Sequence, residues 1–313
     1  MRASRIRTIE VGRWLIPAAV LLIFVAFGIT APPAWAQGVT ITSTTASSDN
    51  LSVQWNTGNP EQIDVIKWNS AGLTGSEPNL TNTGTTGTPP CHGGDVEFFG
   101  NSWSPPDPQS GGKVLVGAGS TGTRVPGPDN KVLIDSNSTD CPPSSAGVSV
   151  ETIYKFWQGG RPINRMKVTR HFTFSSAFDR DVRPYIPRLY PVSAFRQVLH
   201  PNAAGTSVAT HAVGGGSCPS GCIVTDWDGT DATTSWFAVH NPGSGQGMIV
   251  KHTPSTFPVA LWIDWDGASF TNASSVLALS PSGGFTGTVT EEQYFCFYDS
   301  SIWTPNLTLP PGC

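Results

Sequence analysis

Beyond residue 36 the chain shows almost no helical periodicity. Its apolar residues come in short alternating or continuous runs bounded by Gly, Pro, Asn and Ser clusters. These runs are Leu51–Trp55, Ile63–Trp68, Val96–Phe99, Lys113–Val116, Lys131–Ile134, Ser149–Trp157, Ile163–Phe174, Ser207–Val213, Ile223–Trp227, Ser235–Val239, Met248–His252, Val259–Asp264, Val276–Leu279 and Glu291–Tyr298. Many short strands separated by turn residues predict an all-β fold. The pattern fits a large antiparallel β-sandwich with long Gly/Pro-rich loops. No composition shift marks a boundary within 37–313, so a single domain is expected there.

One hairpin is specified in detail. Val150, Thr152, Tyr154 and Phe156 share one face of the first strand, and Met166, Val168, Phe172 and Phe174 share one face of the second. Gln158–Pro162 between them is a Gly-rich loop of hairpin length. Arg165, Lys167, Thr169, His171 and Thr173 alternate onto the other face of the second strand, as expected for a strand with one wet side. Gly72–Pro90 and Asn101–Gly112 read as long loops. Asp179–Pro191 holds Pro184, Pro187 and Pro191, which exclude a regular central strand and suggest an extended crossover between sheets.

The first 36 residues have a different pattern. Arg2, Arg5 and Arg7 precede an apolar run from Leu15 to Ile29, and Ala34-Trp35-Ala36 offers a small-x-small cleavage site. This is the layout of an N-terminal signal helix, with an uncleaved membrane anchor as the alternative. The expected location is secreted or extracytoplasmic, with membrane contact only if the segment is retained.

That address changes the reading of the six Cys. An even set in an exported chain points to disulfides. Sequence proximity pairs Cys218–Cys222, leaving Cys91–Cys141 and Cys296–Cys313. A zinc site built on Cys218 and Cys222 lacks a nearby second pair, with His211 the closest imidazole. Charged residues are only 13% of the chain and the formal net charge is −4. No basic stripe exists, so neither nucleic acid nor an anionic membrane surface is an expected partner. No phosphate-cradling Gly loop precedes a helix, so no nucleotide cofactor is expected. Gly243-Ser244-Gly245 is a turn rather than a nucleophile elbow.

Several residues are candidates for chemistry. Arg170 falls on the apolar face of its strand, where a guanidinium needs either a ligand or an internal carboxylate such as Asp179 or Asp181. His171 is its neighbour on the polar face. Glu291 and Glu292 open the last strand, and alternation turns one of them inward. Arg170, His171 and Glu292 are the catalytic candidates. Asp226, Asp228 and Asp231 cluster on a turning loop and could supply oxygens to calcium, although ordinary Asp-Gly turns explain them equally well. Calcium is the one cofactor the sequence raises. Trp227, Trp262, Asp264 and Trp265 are the ligand-binding candidates, because flat aromatic faces stack on sugar rings beside carboxylates that bind hydroxyls. Core filling is the competing role for each Trp.

Val150-Glu-Thr-Ile-Tyr-Lys-Phe-Trp157 running into Ile163–Phe174, Ser235–Pro242 followed by Gly247–Val250, and the tail Tyr294–Trp303 resemble galactose-mutarotase-like supersandwich domains over residues 90–303. The resemblance implies a supersandwich-like fold and a carbohydrate-related role. Mutarotases of that family use a His pair and a Glu. No motif aligns His171, His240 or Glu292 to them, so no catalytic residue is carried over. The sequence therefore suggests an exported carbohydrate-recognising β-sandwich with a glycan partner. The alternatives are a glycan-active enzyme of epimerase or lyase type and a structural or adhesive surface protein.

Overall fold

The computed structural model describes residues 39–42, 44–55, 63–80, 96–98, 114–116, 124–127, 131–137, 148–157, 165–178, 182–184, 195–212, 222–253, 259–266, 269–277, 285–311 and 313. The leader, the turn Gln158–Pro162, Cys91, Cys141, Cys218, Asp179, Asp181 and most of both long loops lie outside these residues. The described residues form nineteen strands: β1 Thr40–Ile41, β2 Thr45–Ser47, β3 Leu51–Trp55, β4 Ile63–Trp68, β5 Val96–Phe98, β6 Val114–Val116, β7 Arg124–Gly127, β8 Lys131–Asn137, β9 Val148–Trp157, β10 Arg165–Phe178, β11 Val182–Pro184, β12 Gln197–Pro201, β13 Val208–Ala212, β14 Cys222–Val224, β15 Trp236–His240, β16 Gly247–His252, β17 Val259–Asp266, β18 Ser269–Leu277 and β19 Phe285–Tyr298. No helix occurs among the described residues, and none there is long and apolar enough to cross a membrane.

The strands form three sheets. β1 to β4 make a four-stranded meander; β13-β12-β15-β16-β19-β10-β9-β8-β7 make a nine-stranded sheet; β14-β17-β18-β11-β5-β6 make a six-stranded one. All pairings are antiparallel. The all-β antiparallel sandwich expected from the sequence is the observed fold. One face of the nine-stranded sheet contributes Tyr154, Phe156, Met166, Val168, Val198, Phe237, Val239, Met248, Val250, Phe295 and Phe297 to a continuous core. Trp55 and Trp68 of the four-stranded sheet and Val224, Leu261 and Ile263 of the six-stranded sheet join the same core. Trp55 meets Tyr154 edge-on at 5.4 Å between centroids, and Trp68 stacks on Phe297 at 6.3 Å.

The two predicted strands pair antiparallel, with the residues predicted to share a face opposite one another. Val150 pairs with Phe172, Tyr154 with Val168 and Phe156 with Met166. β11 corrects the expectation of a strandless crossover. Val182–Pro184 lies between β18 and β5 inside the six-stranded sheet. It escapes the proline restriction by being three residues long, with Pro184 as its last residue.

A second apolar cluster sits on the opposite, outer face of the nine-stranded sheet. Leu199, Trp236, Ala238, Ile249, Cys296 and Tyr298 lie beneath Trp303, with Leu309 and Cys313 of the tail packed against them. This explains why β15 is buried along its whole length. Cys296 is bonded to Cys313, as the spacing suggested. Cys222 is also disulfide-bonded, its partner lying outside the described residues. These bonds accord with an oxidising compartment.

Gly247 is fixed by this outer packing. A Cβ there would come within 2.3 Å of the Tyr298 hydroxyl and 2.5 Å of the Val239 carbonyl oxygen. Gly247→Ala must displace a ring that stacks on His240 and lies 3.1 Å from its Nδ1 through the hydroxyl. We expect it to destabilise the fold by about 1–3 kcal/mol. Denaturant titration checks this, and an unchanged midpoint would mean that the ring moves aside freely.

Candidate functional site

β10 and β19 carry most of the chemistry, and their register sorts it onto two faces. Arg170 pairs with Glu291, Thr169 with Glu292, and His171 with Thr290. Partners directly opposite in an antiparallel ladder share a face. Arg170 and Glu291 therefore point into the core, while His171 and Glu292 lie on the outer face. The three catalytic candidates are not brought together: the sheet separates Arg170 from His171 and Glu292. Alternation within β10 forces this, because residues 170 and 171 are adjacent.

On the inner face the buried polar groups close a ring. Arg170 is 1% exposed, Glu291 5%, His252 2% and Gln293 0%. Arg170 Nη1 donates to Gln293 Oε1 at 2.9 Å and to Glu291 Oε2 at 3.3 Å. Gln293 Nε2 approaches His252 Nε2 at 3.4 Å, and His252 Nδ1 lies 3.6 Å from Glu291 Oε1. Because the Gln293 amide nitrogen can only donate, His252 Nε2 accepts and its Nδ1–H faces Glu291. Burial raises the Glu291 carboxyl to about 7 despite the opposing pull of Arg170. Burial, reinforced by the Arg170 charge, lowers His252 to about 3. Trp227 and Phe237 flank the His252 ring. The guanidinium is paired internally with Glu291, while Asp179 and Asp181 lie outside the described residues, and no described group of this ring is open to a substrate.

Trp227 is likewise no stacking platform. It is 6% exposed, donates its indole N–H to Trp236 O at 3.0 Å and packs edge-on against Phe237. Trp262, Asp264 and Trp265 lie on β17, where Leu261 and Ile263 take the core positions and a bulge between Asp264 and Trp265 resets the alternation. Their side chains are outside what is described.

The three candidate calcium ligands are also apart in role. Asp228 Oδ1 accepts from Thr230 N at 2.8 Å and Thr230 Oγ1 at 2.7 Å. Asp231 Oδ1 accepts from Thr233 N at 2.7 Å and Thr233 Oγ1 at 2.6 Å. Both carboxylates are spent on capping their own turns. Asp226 turns instead toward His200, with Oδ1 3.8 Å from His200 Nε2. His200 Nε2 lies 2.9 Å from His211 Nε2. This trio combines the edge hairpin β12–β13 of the nine-stranded sheet with the loop after β14, an edge strand of the six-stranded sheet. Sequence reasoning missed it because Pro201 concealed β12. The local signal was Asn202–Ser207, a turn in which Asn202 Oδ1 accepts from Thr206 N at 2.8 Å and Gly205 has φ +64°.

The outer face over β9, β10 and β19 is open and polar. Lys167 is ion-paired with Glu292, and Thr169 Oγ1 and Thr253 Oγ1 donate to the same carboxylate at 3.4 and 3.3 Å. His171 Nδ1 is 2.8 Å from Thr290 Oγ1, and its Nε2 is 3.8 Å from Glu151. Lys167 Nζ sits 5.4 Å from the Tyr294 ring centroid. Desolvation works to lower the Lys167 pKa, but the hydrogen bond and charge of Glu292, with Tyr294, raise it overall.

Register also aligns cations that the sequence disperses. Lys67, Lys113, Lys131, Lys155, Lys167 and Lys251 are the six lysines of the chain. Lys131 pairs with Lys155, Lys155 with Lys167, Lys167 with Tyr294 and Tyr294 with Lys251. Four of the six thus occupy one row across β8, β9, β10, β19 and β16. With strands about 4.8 Å apart, the row spans about 19 Å. The expectation of no basic stripe fails here, because the stripe runs across strands rather than along the chain.

No family model matches the chain, and no curated protein matches it. Among solved structures, an α-N-acetylgalactosaminidase from Bifidobacterium bifidum in complex with Gal-NHAc-DNJ is similar at 10% identity and a TM-score of 0.48, over 82% of this chain and 36% of that one. The same enzyme with GalNAc gives 12% and 0.46 over the same shares. A 4-α-glucanotransferase from Thermococcus litoralis gives 7% and 0.44 over 80% of this chain and 36% of the enzyme. The similarity to these carbohydrate-active enzymes is distant, and the chain spans little more than a third of their length. TM-scores below 0.5 fix neither the topology nor the activity of this chain.

Proposed function

We propose that this chain is an exported glycan-recognising β-sandwich whose binding surface is the outer face of β8, β9, β10, β19 and β16, and that its ligand carries carboxylates or sulfates. The lysine row is the observation that carries this reading. A row of lysine positions at strand spacing, interrupted by the half-buried Tyr294 ring and bordered by Thr169, His171, Thr290 and Glu292, offers charge, an aromatic face and hydroxyl-binding groups on one rigid platform. An acidic polysaccharide presents charges, C–H faces and hydroxyls at regular intervals along an extended chain, the chemistry such a platform suits. The Arg-flanked apolar leader and the disulfides support export. Burial of the Arg170 ring and separation of the catalytic candidates favour recognition over turnover.

Titration calorimetry against polygalacturonate, alginate, xylan and a neutral glucan tests this. The acidic chains should bind, more weakly as salt is raised. Lys155→Ala with Lys167→Ala should lower affinity about tenfold, or 1.4 kcal/mol. The melting temperature should move little, since an ion pair still reached by solvent, as Lys167–Glu292 is, contributes at most about 1 kcal/mol. Absence of binding to every glycan would overturn the reading, as would equal binding of single-stranded DNA at matched charge.

A further inference from the structure

The His200–His211–Asp226 trio is independent of the proposed glycan face and carries a function of its own. We infer that it is a binding site for a divalent transition metal, of the class that takes imidazole nitrogen and carboxylate oxygen together. Among the described residues it is the one group of three His, Cys, Asp or Glu whose ligand atoms all lie within 4.8 Å of one another.

The site is organised as metal-binding histidines usually are. His200 is fully buried, and its Nδ1 lies 2.7 Å from Pro201 O. A carbonyl there can only accept, so Nδ1 carries the proton and Nε2 presents its lone pair to His211 and Asp226. The two imidazoles are nearly parallel, with centroids 5.1 Å apart and planes at 13°. Burial lowers the pKa of both rings, which favours the neutral ligand form.

The Nε2–Nε2 separation of 2.9 Å says which geometry fits. Two metal–nitrogen bonds of about 2.05 Å subtend roughly 90° at that spacing, a cis pair of an octahedral or tetragonal centre, which Asp226 joins by drawing its Oδ1 in from 3.8 Å. Tetrahedral zinc needs about 0.4 Å more separation, a small opening for an edge hairpin. Imidazole ligands disfavour calcium and magnesium, which take oxygen. Asp226 is the exposed member, with 58% of its side chain accessible, so the remaining coordination positions face solvent. A metal held here would join the edge of the nine-stranded sheet to the loop after β14.

The test uses the full chain without an affinity tag, stripped with EDTA and titrated with Zn(II), Ni(II) and Cu(II). One equivalent should bind with at least micromolar affinity. The Cu(II) form should show electron-spin coupling to two imidazole nitrogens. His211→Ala and Asp226→Asn should each weaken binding by about 10- to 100-fold. Neither side chain is fully buried, so both variants should melt like the unmodified metal-free protein. Failure of all three ions to bind would reduce the trio to a hydrogen-bonded histidine pair and overturn the inference. Unchanged affinity in His211→Ala would do the same.

Discussion

Arg170→Ala should destabilise this protein by about 3–5 kcal/mol, among the largest effects available from any single side chain in it. The loss is not that of one ion pair. Removing the guanidinium strands Glu291 in the core and takes the donor from Gln293 Oε1, which in turn orients His252. Arg170→Met with Glu291→Leu should recover more than half of the loss, since an apolar pair of similar volume leaves no buried charge. If the double variant were as unstable as Arg170→Ala, the ring would owe its importance to packing and not to charge compensation. The ring also predicts a pH signature. Native Glu291 holds its proton to about 7 against an ordinary value of 4.5, so its contribution to stability is full below pH 4.5 and is lost as pH rises to 7. Native His252 titrates at about 3 against an ordinary 6.5, so its contribution is full above pH 6.5 and is lost as pH falls to 3. The two slopes oppose each other between pH 4.5 and 6.5. His252→Gln should therefore expose a fall in stability from pH 4.5 to 7, and Glu291→Gln a rise from pH 3 to 6.5. Denaturant midpoints read across that range decide the matter; parallel profiles in both variants would remove the ring from the titration.

Breaking Cys296–Cys313 should cost about 3 kcal/mol, the entropy expected for a loop of 17 residues. Its structural effect should be local at first. The tail covers Trp236, Ala238, Ile249 and Tyr298, and besides the disulfide it is held by the Trp303 indole N–H on Thr308 O at 2.9 Å and Lys251 Nζ on Cys313 O at 3.4 Å. Cys313→Ser should expose this apolar patch, raising binding of a hydrophobic dye and tail proteolysis before global unfolding. A variant that resists protease like the unmodified protein would show that Trp303 packing alone secures the tail.

Local pattern made some of this legible. Period-two alternation specified which residues of β9 and β10 share a face and flagged Arg170 as an inward charge. It also required one of Glu291 and Glu292 to face inward, without saying which. That choice depends on the register between β10 and β19, strands more than a hundred residues apart in sequence, and so did the identity of the Arg170 partner. The full lysine row was hidden for the same reason, since Lys251 joins it only through β19, whereas the His200–His211 pair is local to one hairpin and was hidden by Pro201 at the end of β12. Trp227 misled because its composition suits a sugar platform equally well as a core, and only packing against Phe237 and His252 distinguishes them. Short strands such as β1 and β11 are too brief for any period to register.

The position of β19 has a consequence for biosynthesis. It is the last described strand, yet it is threaded between β10 and β16 at the centre of the largest sheet. Until it emerges, the nascent polypeptide holds β7–β10 on one side and β12, β13, β15 and β16 on the other as two unjoined ribbons, each with a naked inner edge and no Glu291 for Arg170. Closing them requires pairings of very long sequence separation, which are slow to form. The molecule is thus expected to stay uncommitted through most of its translation and to collapse cooperatively only at the end. The export proposed above would make use of that order of events, since a chain crossing a membrane unfolded must not commit early.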